Sequence, residues 1–182
     1  MAIDQQHTMQ SLVLETERLR LRRFRETDVD AIFAIIGDDV AMKYYQRTFN
    51  RRDAEEWVER NLRRYFEYGA GFFAVMLKES DDVIGDCGII QQNVEGEPLM
   101  EVGYHFRRDQ WGNGYATEAA RACMGLAFHA LGAEKVISLI RAANLPSRKV
   151  AERNGMRVER QVMHSGLPHL LYAMRREDYG QA

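Results

Sequence analysis

Glu101-Val102-Gly103-Tyr104-His105-Phe106 and Trp111-Gly112-Asn113-Gly114-Tyr115-Ala116-Thr117-Glu118-Ala119 stand close together in the chain, separated only by Arg107–Gln110. The first run belongs to a β-rich segment, Leu99–Phe106. The second is a glycine-bearing loop that opens an alanine-rich helix over Thr117–Leu131. Strand, glycine loop and helix in this order have a physical consequence. Glycines let the backbone approach a ligand and aim several N–H groups at it. The helix N-terminus adds roughly half a positive charge. Such a corner suits a phosphate or pyrophosphate. The plain alternative is a tight turn that merely needs glycine.

Two familiar phosphate sites are disfavoured by the residues themselves. A P-loop needs Gly-Lys followed by Ser or Thr, and Gly114 is followed by Tyr115. A dinucleotide fingerprint is closer, with Gly112-x-Gly114-x-Ala116 and Glu134 twenty residues after Gly114. Its acidic residue should end the strand after the helix, yet Glu134 precedes that strand. It also wants parallel strands, and the preceding chain reads as hairpins.

Outward from the loop, Leu19/Leu21 and Arg20/Arg22 alternate, which predicts a strand over Arg18–Phe24. Thr27-Asp28-Val29-Asp30 has the form of a capping box before a short helix to about Ile36. Ala54, Trp57, Val58, Leu62, Tyr65 and Phe66 recur at helical spacing within Asp53–Tyr68, and Gly69 and Gly71 end that helix. Phe72–Leu77 and Val83–Gln91 read as a hairpin around Lys78–Asp82, with the next turn at Glu95-Gly96-Glu97-Pro98. Lys135–Ile140 is a buried-type strand. Pro146–Asn154 is a short helix with proline in its first turn and Gly155 past its end. Val158–His164 and Leu170–Arg175 are final strands around Ser165-Gly166-Leu167-Pro168. The expectation is a mixed α/β layout of about seven strands and four helices. One domain over residues 1–182 accounts for it, with Met1–Gln10 as a flexible polar lead-in.

Composition excludes several classes. Hydrophobic residues make up 46 %, enough for a core, and the formal net charge of −2 shows no basic excess for nucleic acid. Arg18, Arg20 and Arg22 read as the wet face of an edge strand or, alternatively, as a patch for an anionic ligand. Cys87 and Cys123 form no CxxC, and core packing is their ordinary role. The five histidines show no ligand spacing, so no metal is expected. No apolar run reaches the roughly 18 residues of a membrane span. The first ten residues lack a signal-peptide core, so a soluble cytoplasmic protein with neither membrane nor nucleic-acid partner is expected.

Glu101–Met156 resembles the core of the GNAT acetyltransferase superfamily, and more closely the branch containing the Rim-type ribosomal-protein N-terminal acetyltransferases. Trp111–Ala119 matches that branch's Trp-Gly-x-Gly-Tyr-Ala-Thr-Glu-Ala. In the superfamily's wider pattern, Gln/Arg-x-x-Gly-x-Gly/Ala, Trp111 takes the first place, Gly114 the glycine and Ala116 the last position. Asn144-x-x-Ser147 followed by Gly155-Met156 matches the branch's Asn-x-x-Ser and Gly-Phe, and Leu14-Glu15-Thr16-Glu17-Arg18-Leu19 is a typical opening. The resemblance implies a GNAT-like, mostly antiparallel twisted sheet with helices on both faces. The sheet would splay between its fourth and fifth strands, Leu99–Phe106 and Lys135–Ile140. It implies acetyl-CoA as co-substrate. The backbone of Asn113, Gly114, Tyr115 and Ala116, in the loop opened by Trp111 and Gly112, would hold the pyrophosphate with Thr117. Tyr104, His105 and Phe106 would pair with the pantetheine arm as an added strand, and Asn144 and Ser147 would contact it near the sulfur.

The activity so implied is acetyl transfer to a primary amine by direct attack in a ternary complex. The acceptor would be a protein N-terminus, an amino acid or a small amine. A non-catalytic acyl-CoA-binding sensor and a nucleotide-dependent oxidoreductase are the alternatives. The amine must lose a proton to attack, and the leaving thiolate is helped by gaining one. Glu101 is the first candidate base and Asp86 the second. His105 has a suitable intrinsic pKa. Glu118 is read as support for its own helix start. Many members of the superfamily place a tyrosine acid where this chain has Ala151, so Ser147 is the candidate to orient a water or the thiol. Tyr44, Tyr45 and Tyr172 have no assigned place, and His164 and His169 read as exposed turn histidines. Asp38–Phe49 and His164–His169 are the expected acceptor-specificity segments, and a homodimer is a family-level expectation.

Overall fold

The computed structural model describes residues 14–180, and the lead-in expected over Met1–Gln10 lies outside them. The chain enters through Leu14–Glu15 (β1) and Leu19–Arg22 (β2). Leu19 and Leu21 are fully buried and the arginines point the other way, the period-two pattern of a pleated strand. β1 pairs along the outer side of β2, so β2 is not the solvated edge that its arginines suggested. Arg22 turns inward instead, and its guanidinium grips both oxygens of Asp28 at 2.7 and 2.8 Å. Asp28 also accepts from the backbone N–H of Arg25 at 2.7 Å. This fixes a single tight turn, Glu26–Asp28, ahead of α1 (Val29–Ile36). The expected box at Thr27–Asp30 therefore does not form, because the arginine fork holds Asp28 back toward residue 25.

A capping box at the next helix was not anticipated. α2 (Arg51–Tyr68) starts two residues before Asp53 because Asn50 caps it. The Asn50 side chain accepts from the Asp53 N–H at 3.1 Å, and the Asp53 carboxylate accepts from the Asn50 N–H at 2.7 Å. Asn50→Ala is expected to cost about 1 kcal/mol of stability, read as a lowered urea midpoint with unchanged m-value. α2 ends at Gly69, whose φ of 69° is the left-handed stop that glycine supplies without strain.

β3 (Phe72–Leu77), β4 (Val83–Val94) and β5 (Glu97–Phe106) form a meander. The β4–β5 turn is only Glu95-Gly96, with φ of 53° and 91°. Two positive φ values match a two-residue hairpin to the twist of its strands, so Glu97 and Pro98 join β5 rather than the turn. Ser165-Gly166, with φ of 50° and 75°, does the same between β7 (Arg157–His164) and β8 (Leu167–Arg175). Between the meander and this last hairpin come α3 (Tyr115–His129), β6 (Lys135–Ile140) and α4 (Leu145–Arg153).

The result is one eight-stranded sheet in the order β1-β2-β3-β4-β5-β6-β8-β7. It exceeds the expected seven only by the two-residue β1. Every pairing is antiparallel except β5–β6, which is parallel and paired only at Met100↔Val136 and Glu101↔Ile137. Beyond Glu101 the two strands part, at the splay expected from the resemblance. Asp86 meets Trp57 of α2, whereas Cys87 meets Cys123 of α3. Adjacent residues of a strand face opposite sides, so these helices cover opposite faces of the sheet. Both cysteines are free and wholly buried, as core residues.

Candidate active site

The loop after β5 is shaped by two left-handed glycines, Gly112 (φ 83°) and Gly114 (φ 82°). Trp111 anchors its start by donating from Nε1 to the Phe106 carbonyl at 2.8 Å. Gly114 is the N-cap of α3, two residues earlier than expected, and offers no side chain to the helix. The first-turn N–H groups therefore have no intrahelical or side-chain cap partner. The buried Thr117 hydroxyl likewise has no hydrogen-bond partner. Arg18 draws the Asn113 carbonyl back at 2.9 Å, which turns that acceptor away from the mouth of the helix.

Glu118 does more than support its own helix. It accepts from the Thr16 hydroxyl at 2.5 Å, the Arg18 N–H at 2.9 Å and the Arg18 guanidinium at 2.7 and 2.8 Å. Burial pushes its carboxyl up, but Thr16 and Arg18 outweigh that and hold it below the usual carboxylate range. The opening motif and the helix motif are thus two halves of one tie.

A groove of about 460 Å³ runs from this loop along β5 to the start of α4. Tyr104, His105, Phe106, Trp111, Gly112, Gly114, Tyr115, Ala116, Thr117, Asn144 and Ser147 all line it. Asn113 contributes to the loop through its backbone, with its side chain on the Gln110 carbonyl at 3.2 Å. Asn144 caps α4 by accepting from the Ser147 N–H at 3.2 Å, and Tyr104 donates to the Ser147 carbonyl at 3.1 Å. A smaller cavity of about 70 Å³ occupies the splay itself, and Glu101, Tyr45, Tyr104 and Ser147 border it.

Glu101 reaches across the splay and accepts from the Leu139 N–H at 3.1 Å. Burial pushes its carboxyl up to about 6, against smaller opposing effects of Leu139, Gln92 and His105. Asp86 behaves differently from expectation. It is wholly buried and accepts from Trp57 Nε1 at 2.9 Å, His105 N at 3.1 Å and His105 Nδ1 at 2.7 Å. It lines neither cavity and connects to the large groove through His105. The other ring nitrogen of His105 meets the Tyr45 hydroxyl at 2.5 Å.

Tyr45 has no local sequence signal, because the chain between α1 and α2 lacks periodicity. The residue borders both cavities. The phenol lies above its usual range because that end is withdrawn from water, although 47 % of the residue is exposed, and because Glu101 and Asp86 are near. Tyr44 lines the large groove. Tyr172 does not reach the cleft, since its hydroxyl donates to Glu152 at 2.8 Å and accepts from Arg148 Nε at 3.1 Å. Ala151 is buried on the inner side of α4. Gln46 donates to the Ser165 carbonyl, so the two expected specificity segments do meet. His164 and His169 are half-buried and face each other with ring centroids 5.6 Å apart, rather than standing exposed in the turn. Among the described residues no helix is long and apolar enough to cross a membrane, and no group of three or more His, Cys, Asp and Glu side chains is placed to hold a metal ion.

A sheet split beyond Glu101, with a glycine-capped helix at one end of the groove, leaves room for a long ligand with an anionic end. The model of the acetyltransferase (GNAT) domain matches residues 18–157, and the chain belongs to that family. The Bacillus subtilis protein YkkB, described as uncharacterized, is 36 % identical over 160 residues, covering 87 % of this chain and 93 % of YkkB. A crystal structure of a GNAT-family acetyltransferase from Bacillus anthracis superposes with a TM-score of 0.79 at 28 % identity, covering 91 % of this chain and 99 % of that one. RimL, a ribosomal L7/L12 N-terminal acetyltransferase solved with coenzyme A, shares the fold at a TM-score of 0.72 and 16 % identity, over 90 % of this chain and 98 % of its own. The protein is an acetyltransferase; RimL and an aminoglycoside acetyltransferase that share its fold were both solved with coenzyme A. The oxidoreductase reading falls with this membership.

Proposed function

We propose that this protein transfers the acetyl group of acetyl-CoA to a primary amine, a protein N-terminus, an amino acid or a small amine, by direct attack in a ternary complex. One observation carries the reading: a buried carboxylate, Glu101, stands in the splay at the inner end of a groove whose other end is an uncapped helix N-terminus. The fit to the donor is good. The free first-turn N–H groups and the orphaned Thr117 hydroxyl suit a pyrophosphate, with Gly112, Asn113, Gly114, Tyr115 and Ala116 supplying the backbone. Tyr104–Phe106, unpaired on the β6 side past Glu101, suits an extended amide-bearing arm. Asn144 and Ser147 stand where that arm reaches the gap. The acceptor enters past Asp38–Phe49 and the β7–β8 turn, which Gln46 and Ser165 join.

Glu101 is the base that frees the amine. A carboxyl near 6 is ionised at neutral pH yet basic enough to take a proton from an ammonium group as it approaches. Glu101→Gln is expected to lower kcat about 100-fold. It should also erase the acid limb of the rate profile near pH 6 while leaving acetyl-CoA affinity unchanged. Stability moves the opposite way. The folded carboxyl holds its proton more tightly than the unfolded one, about 6 against 4.5, so its contribution is lost as pH rises through that window. The variant should therefore gain up to about 2 kcal/mol at pH 7.5 and little at pH 4.

The deciding experiment is calorimetric titration with acetyl-CoA, followed by thiol release across a panel of amines. Failure to bind acetyl-CoA overturns the reading. Binding without thiol release for any amine favours the acyl-CoA sensor, for which Ala151 in place of the usual tyrosine acid is the supporting observation.

A further inference from the structure

We propose that Tyr45, backed by His105 and Asp86, is the proton shuttle of the transfer step: it accepts the amine proton released as the new C–N bond forms and returns it to the CoA sulfur. This rests on the acetyltransferase reading above.

The hydrogen-bond directions carry the argument. Asp86 is surrounded by donors. Indole Nε1 of Trp57 and the backbone N of His105 can only donate, and they approach its two oxygens at 2.9 and 3.1 Å. The third neighbour, His105 Nδ1 at 2.7 Å, completes the set as an N–H facing a carboxylate. With Nδ1 carrying the hydrogen, Nε2 of the neutral ring is an acceptor. The group facing Nε2 at 2.5 Å is the Tyr45 hydroxyl, so the phenol donates to the imidazole. The remaining lone pairs of the Tyr45 oxygen are left for the junction between the groove and the splay, which that residue borders on both sides.

An oxygen in that state accepts a proton before it can give one. When the amine nitrogen attacks, its lone pair forms the C–N bond and its excess N–H proton passes to the Tyr45 oxygen. The phenol's own proton moves to His105 Nε2, and the imidazolium is paired with Asp86. When the C–S bond breaks, its electrons stay on sulfur. The chain then reverses, with Nε2–H returning a proton to the Tyr45 oxygen and the phenol protonating the thiolate. The relay ends as it began, and the reaction needs no tyrosine at Ala151. The earlier proton, lost when the ammonium becomes an amine, is separate and belongs to Glu101.

Two carboxyl groups and three aromatic rings surround His105. Asp86 on β4 and Glu101 on the same face of β5 are the ionisable carboxyl groups facing it, and Tyr45, Trp57 and Phe72 complete the cage with centroids 5.4 to 5.7 Å away. Tyr45 is held in place by its own backbone, whose N–H donates to the carbonyl of buried Met42 at 2.8 Å. Asp86 is a positioning residue, and it acts through the tautomer of His105.

Tyr45→Phe removes only the hydroxyl. It is expected to lower kcat about 100-fold with acetyl-CoA affinity within about three-fold of wild type. The second readout tests the hydrogen-bond direction on which the shuttle depends: the ¹⁵N spectrum of labelled histidine in the acetyl-CoA-free protein, with His105 assigned by its loss in His105→Gln. The expected pattern is a protonated Nδ1 and an Nε2 acceptor whose shift moves toward that of a free acceptor in Tyr45→Phe. An Nε2–H tautomer overturns the shuttle. So does an active wild type with an equally active Tyr45→Phe, and that result leaves the acetyltransferase reading standing. A wild type that releases no thiol with any amine overturns both.

Discussion

A folded Gly114→Asp protein is expected to lose acetyl-CoA binding by at least about 100-fold, or about 2.7 kcal/mol. Three effects act together. Gly114 sits at φ 82°, where an L-residue costs about 1–2 kcal/mol. Its side chain would project at the mouth of α3, where a Cβ would lie 3.5 Å from the Arg18 guanidinium. The new carboxylate would take the free first-turn N–H groups for itself and repel a pyrophosphate. The loop is exposed and that Cβ contact is an ordinary one, so the fold should survive, with an unchanged far-ultraviolet spectrum. Gly114→Ala separates the contributions, since it adds the backbone strain without the charge and should weaken binding far less. Undiminished acetyl-CoA affinity in calorimetry of folded Gly114→Asp would remove the loop from the ligand site.

Gly88→Ala, by contrast, should damage the protein before it reaches any ligand. A Cβ there would lie 2.6 Å from the Gly71 carbonyl carbon and closer still to Gly71 O and Phe72 Cα. All three are backbone atoms where β3 begins, paired to β4 at Phe72↔Gly88. A flexible side chain could swing aside, but a paired strand cannot. Overpacking typically costs 1–3 kcal/mol, and this site should cost about 3 kcal/mol or more. For a chain of this size that is a fall in Tm of about 6–12 °C. Gly112→Ala is the control, since nothing lies within 4 Å of its Cβ and only the positive φ is strained. A melting temperature for Gly88→Ala equal to that of wild type would show that β3 and β4 can separate more freely than their register implies.

What could be read in advance follows from the range of the interactions. The glycine loop, the helix after it and the meander are written in neighbouring residues, and periodicity is enough to find them. Helix and turn boundaries shifted where side chains act over three or four positions. Asn50 with Asp53 moved the start of α2, and Glu95-Gly96 pulled Glu97 and Pro98 into a strand. β1 is too short for any pattern to show, because its two residues are strand only by virtue of pairing with β2. In the site, Glu101 was legible because it lies on the strand that enters the loop. The burial of Asp86 was not, since it depends on Trp57, 29 positions away, and on a cross-strand histidine. Tyr45 was least legible of all, because its partner is 60 residues distant and its own segment has no regular structure.

The tie between Thr16, Arg18 and Glu118 spans about a hundred positions of the chain, 102 from Thr16 to Glu118. A contact of such long range closes a large loop, whose chain entropy opposes it. The glycines and helix of this corner are local in the chain, but the tie that steadies them is not. The entrance of α3 is thus held in shape by the entry segment of the chain, so a change at Thr16 or Arg18 acts on a loop far from it in sequence.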